Sequence, residues 1–431
     1  MDFNAKGYRW DKGDGQETGY KELSTAPLIA IGHSAAASWP YYLAAYKPER
    51  TLACISVSGQ WPYHRDKWLC PDIWGERNIN KIPCLETMGE YESAHTWSNE
   101  GLKERKEHPL LPLSMLACPA EGHFAYTPEK AQYIALYIKK AMHYGHVDPT
   151  KEGWLMERWK KNEKPSCIPA PVNQFKGDPA QAFWFFDREM IEATLAYQSR
   201  YYDMKPQLVS VSQNGKTVSQ QNTHLQVHPA FMPQEDGITF QLTPVFLDTV
   251  PGESPRLSNW TDLPVGASIG HAGKSPVLQM ITGPAVLVDS VTFRIQWNRG
   301  TLWTDKKSDI VFSITHPGDK EYKPAVQQAQ ITIPVKNREG QPQHIEFATL
   351  PDIKRGTKYV SLSAVSSCGL PVDFYVESGP AYVDGNRLIL TAIPPKAAYP
   401  VKVTVIAWQY GKNSYPKIKT AEPVKQTFYI R

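Results

Sequence analysis

The stretch PLIAIGHSAAASWPYYLAAYKPER, residues 27 to 50, constrains the chain more than any other. An apolar, β-branched run stops at Gly32-His33-Ser34, and an alanine-rich helical pattern begins at once. A strand that turns so abruptly into a helix needs a tight corner, and small residues must flank that corner. Serine at its apex, with Gly32, Ala35 and Ala36 around it, has the composition such a turn requires.

The same alternation continues to about residue 145. Apolar runs at Pro27–Gly32, Leu52–Ser58, Ile82–Gly89 and Leu110–Cys118 are separated by helix-like segments, clearest at Ala35–Tyr46 and Pro128–Tyr144. Runs apolar on both faces, spaced by helices, predict a parallel sheet covered by helices. From about Thr150 to Pro179 the chain is rich in Lys, Pro and Trp and reads as an extended connector. Ala180–Tyr202 reads as one amphipathic helix, with Phe183, Phe186, Met190, Ala193 and Tyr197 at three- and four-residue spacing.

Beyond Pro206 the pattern changes. QLVSVSQNGKTVS, DSVTFRIQWNRG and AQITIPVKNREG cluster β-branched residues and end in glycine turns, as β-sandwich strands do. The expected organisation is multidomain, α/β followed by all-β. Residues 1–148 form a parallel-sheet domain and 149–204 a connector with one helix. Residues 205–342 form one β-sandwich and 343–431 a second.

Composition narrows the partners. The 431 residues carry a net charge of only +4 and no basic run, which disfavours nucleic acid. No apolar run approaches the roughly 20 residues of a membrane span. None of the six cysteines forms a CxxC pair, so no metal site is expected. Cys54, Cys84 and Cys118 lie in apolar runs and read as buried thiols, while Cys70 and Cys167 lie in irregular segments and could pair.

A serine hydroxyl needs a base, and the base needs an orienting acid. After the Ile82–Gly89 run comes GEYESAH, with Glu90 and Glu92; after the Leu110–Cys118 run comes PAEGHF, with His123. Serine, acid and histidine thus follow three successive runs. Over residues 20 to 145 this arrangement resembles the C-terminal half of the α/β-hydrolase core, with Ala36 where the family's motif usually has glycine. The resemblance implies a partial α/β-hydrolase sheet and a secreted serine hydrolase, most simply a carboxylic ester hydrolase. Ser34 is its nucleophile, His123 its base, Glu92 (with Glu90 as the alternate) its acid and the Ala35 N–H an oxyanion donor. It implies no cofactor.

The aromatic residues Trp39, Trp61, Tyr63, Trp68, Trp74 and Trp97 crowd this region. Trp61 and Trp39 are the candidate substrate contacts, for a small-molecule or carbohydrate ester. A serine peptidase of the same fold, and a non-enzymatic surface protein with a relict hydrolase domain, are the alternatives.

That family places four strands before the nucleophile strand, and the short polar start of this sequence has no room for them. The expectation is either the C-terminal part of a longer periplasmic or extracellular protein or a truncated gene model. The Pro27–Gly32 strand is then an open edge, and a second oxyanion donor is missing. Finally, Ser366–Val372, Gly379-Pro380-Ala381, Gly385-Asn386, Val401–Val405 and Ala407–Gly411 resemble the pattern of bacterial immunoglobulin-like modules. Such modules space or anchor a catalytic unit.

Overall fold

A computed structural model describes residues 21–64, 78–221, 226–252 and 260–431. Expectations about the first twenty residues, Trp68, Cys70 and Trp74 lie outside the described residues.

The four apolar runs form strands β1 (Leu28–His33), β2 (Thr51–Val57), β3 (Cys84–Gly89) and β4 (Leu113–Cys118), parallel and adjacent in that order. β3 and β4 are buried at every position, because layers cover both faces. β1 lies at the edge of the described sheet and exposes Ile31. Helices α1 (Trp39–Tyr46), α2 (Ala94–Glu107) and α3 (Pro128–Tyr144) follow β1, β3 and β4. α3 starts where sequence rules place it. Thr127 accepts from the Lys130 N–H at 3.1 Å and Pro128 opens the first turn. Its buried face is Lys130, Tyr133, Tyr137 and Ala141, at helical spacing. Cys54, Cys84 and Cys118 are buried free thiols.

The connector expected at 149–204 belongs instead to the core of this first unit. It forms a small antiparallel sheet of β5 (Trp154–Glu157), β6 (Ala170–Pro171) and β7 (Ala182–Phe185). Leu155, Met156 and Phe183 to Phe186 are buried in one cluster with Leu85 and Leu116 of the parallel sheet. The Ser114 hydroxyl donates to Trp184 O at 2.6 Å, fixing β7 against β4. The single helix expected over Ala180–Tyr202 is likewise corrected. Residues 182–185 are strand, and helix α4 spans only Arg188–Gln198, with Asp187 capping the Met190 N–H at 3.0 Å.

The first β unit closes around a second core. Its longest hairpin pairs Lys307–His316 with Ala325–Pro334 over ten residues, inside a five-stranded sheet. Phe312, Ile331 and Ile333 of that sheet pack against Phe240 and Phe293 of a three-stranded sheet, which makes a sandwich. At the start of the unit, Ser212 pairs with Thr217 and Gln213 with Lys216. The connecting Asn214-Gly215 both have positive φ (51° and 74°), the geometry of a two-residue hairpin turn.

The last unit is all β as well. Val401–Trp408 pairs with Asp373–Ser378 and Val424–Ile430, and Ala381–Asp384 with Arg387–Leu390 across Gly385-Asn386. The two β units share aromatic packing: Tyr375, Trp408 and Tyr410 join the core that holds Trp297. Among the described residues no helix is long and apolar enough to cross a membrane.

Candidate active site

The corner between β1 and α1 is as tight as the sequence demands. Ser34 has φ 56°, in the left-handed region, and opens a short 3-10 turn over Ser34–Ala36. A Cβ on Gly32 would sit 2.1 Å from Ala36 O, so only glycine lets the turn close. Ala36 itself is exposed, so its methyl, where the motif usually has glycine, meets no packed wall.

β3 ends in another 3-10 turn, Glu90–Glu92. The Gly89 N–H (3.1 Å) and the Ser58 hydroxyl (2.8 Å) both donate to Glu92 Oε1. The other oxygen, Oε2, lies 2.5 Å from His123 Nδ1. His123 Nε2 lies 2.7 Å from Ser34 Oγ. With Nδ1–H donating to the carboxylate, Nε2 is left to accept the serine proton. Three residues from three loops, each after a strand of one sheet, therefore form a continuous Glu92–His123–Ser34 relay. The His123 and Glu92 side chains are mostly shielded from solvent.

The alternate acid is placed elsewhere. Glu90 Oε2 accepts from the Ala120 N–H at 2.8 Å, and its Oε1 faces Lys323 Nζ at 2.7 Å and Lys161 Nζ at 3.7 Å. It is a structural ion-pair residue between the first unit and the first β unit. Ala35 is exposed one residue past the serine, and its N–H stands at the start of the 3-10 turn. Helix starts leave such groups without an intrahelical partner.

Of the two tryptophans expected at a substrate surface, Trp61 is corrected: it is 1% exposed. Its ring stacks on Phe183 at 5.7 Å and its Nε1–H donates to Trp97 O at 2.9 Å. No ligand could lie on that face. Trp39, at the start of α1, is 44% exposed and stands five residues from Ser34.

Several supporting residues were not singled out from sequence. Ser58, which holds the acid, has φ 48° at the end of β2. Gln328, on a strand of the first β unit, faces the His123 N–H (2.6 Å) and the Phe124 N–H (3.0 Å), two donors that only its amide oxygen can accept, which assigns the oxygen to that side. His33, beside the nucleophile, hydrogen-bonds through Nε2 to His123 O at 2.8 Å. Burial lowers its pKa below the ordinary imidazole value, which favours the neutral Nε2–H donor. Below the histidine loop, buried Glu121 pairs with Lys130 (2.6 Å) and Arg200 (3.2 Å), and Lys130 Nζ also donates to Ala125 O at 2.8 Å. Only a local signal, the Glu121-Gly122-His123 adjacency, could have pointed to that cluster. Among the described residues no group of three or more His, Cys, Asp or Glu side chains could hold a metal ion.

No family model matches the chain, and no curated protein matches it. Among solved structures, human protocadherin-24 EC1-2 aligns at 13% identity over 39% of this chain and 91% of that one, with a TM-score of 0.18. Mouse cadherin-23 EC22-24 aligns at 9% identity over 52% and 67%, with a TM-score of 0.17. Drosophila N-cadherin EC1-4 aligns at 11% identity over 38% and 45%, with a TM-score of 0.16. Likeness this slight decides nothing about the chain.

Proposed function

We propose that the first unit is a serine hydrolase that cleaves carboxylic esters, similar to the C-terminal half of the α/β-hydrolase core. The observation that carries this reading is the unbroken relay from Glu92 Oε2 through His123 to Ser34 Oγ. A strained serine backbone persists only where its surroundings impose it, and such strain clusters at reactive sites.

The chemistry follows from the geometry. Ser34 Oγ attacks the ester carbonyl carbon while its proton passes to His123 Nε2. The carbonyl oxygen becomes an oxyanion, and the Ala35 N–H is the donor placed to meet it. Collapse of the intermediate breaks the bond to the alcohol, which leaves with the proton from Nε2. An acyl ester remains on Ser34. Water then attacks that ester, giving its proton to His123, and the acid departs as Oγ regains the proton. Glu92 holds the imidazole in the required tautomer throughout and stabilises its cationic form. Exposed Trp39 offers an aromatic face for a small-molecule or carbohydrate ester, and the β units suit a periplasmic or extracellular setting.

The test is hydrolysis of p-nitrophenyl acetate by the full chain and by Ser34→Ala. The expected result is turnover abolished in the variant at unchanged thermal midpoint. Equal turnover in the two proteins removes the reading. A parallel assay on peptide anilides distinguishes an esterase from a peptidase.

A further inference from the structure

We infer that the first β unit is part of the catalytic apparatus, and that Gln328 is a positioning residue for His123. The inference rests on the hydrolase reading. It adds a role for a region to which the sequence assigned none.

The strand Ala325–Pro334 alternates its faces. Ala325, Ala329, Ile331 and Ile333 point into the sandwich core. Val326 and Gln328 point the other way, yet both are buried, because the loop carrying His123 lies on them. At Gly122 an added Cβ would meet the Gln328 side-chain amide at 3.1 Å and Val326 Cγ1 at 3.2 Å, so the loop backbone presses directly on the strand. One side-chain oxygen of Gln328 receives two consecutive amides, those of His123 and Phe124. From the opposite side His33, next to the nucleophile, grips the His123 carbonyl. The peptide of the base is therefore clamped between the nucleophile's own corner and a strand more than two hundred residues later.

Further contacts bring the same strand region onto the acid's turn. Tyr91, between the two glutamates, donates its hydroxyl to Pro324 O at 3.1 Å, and Lys323 pairs with Glu90. Tyr91, Ala120, Leu208, Trp260, Ile269 and Val326 make one apolar cluster across the boundary. The β unit thus bears on two of the three loops that build the relay. Positioning matters at this scale: a displacement of about 1 Å can cost on the order of 10² in rate.

The experiment compares wild type, Gln328→Leu, Gln328→Glu and Asp262→Asn, each as the 431-residue chain. Steady-state kinetics on p-nitrophenyl acetate are read together with amide hydrogen exchange of the 122–126 segment. Leu keeps the volume and removes the acceptor; Glu keeps the acceptor. Gln328→Leu is expected to lower kcat by about 10-fold or more with KM unchanged, and to speed exchange at His123 and Phe124. Gln328→Glu is expected to recover most of that loss, and Asp262→Asn, which removes the exposed ion pair with Lys161 (2.6 Å) across the same boundary, to keep the wild-type kcat. Equal kcat in wild type and Gln328→Leu overturns the positioning role while the hydrolase reading stands. An equal fall in Asp262→Asn also overturns it, since that reveals a general interface effect. A wild type without turnover overturns the hydrolase reading and the positioning role with it.

Discussion

Glu90 and Glu92 stand two residues apart in one 3-10 turn, where side chains two apart project to different sides. Glu92 turns toward His123. Glu90 turns toward Lys323, 233 residues away, a partner no local pattern could announce. The two glutamates should therefore fail differently. Glu92→Gln leaves the imidazole without its carboxylate and is expected to lower kcat by about 10³–10⁴ with little change in stability. Glu90→Gln is expected to keep the esterase activity. It strands Lys323, whose side chain is 6% exposed against 7% for Glu90, and should cost about 3 kcal/mol in urea unfolding. Abolished hydrolysis in Glu90→Gln beside an active Glu92→Gln would reverse the assignment.

Strands β1 to β4 and helix α3 were readable as elements because burial on both faces and a capped amphipathic face are written in local patterns. β7 was not. Its aromatic residues happen to continue the spacing of α4, and only the layer that β7 completes against β4 makes 182–185 extended. The overlooked local clue was Asp187, a helix cap in the middle of the expected helix. Trp61 was misplaced for a similar reason: aromatic richness does not say which ring is covered. Its cover includes α2, which passes so close that Gly101 has no room for a side chain. An added Cβ would lie 2.5 Å from Trp61 Cζ2. Helix propensity alone favours Gly101→Ala by about 1 kcal/mol. Overpacking a fixed ring costs about 1–3 kcal/mol. Gly101→Ala is therefore expected to lower the denaturation midpoint, and a raised midpoint would contradict the packing described for Trp61.

At the scale of the molecule, the change from α/β to all-β after Pro206 was visible, since strand composition and turn residues shift together there. The unit boundaries were less so. Residues 150–179 lack periodicity because they are held by tertiary contacts, and the outward face of Ala325–Pro334 reads as surface until the histidine loop is laid on it. The central claim is that this assembled chain holds a reactive serine. The most direct measurement is treatment of the folded 431-residue chain with a fluorophosphonate, followed by peptide mapping by mass spectrometry. The account predicts one covalent adduct, on Ser34, that disappears in His123→Ala. A folded protein that acquires no adduct, or acquires it at another residue, would contradict it.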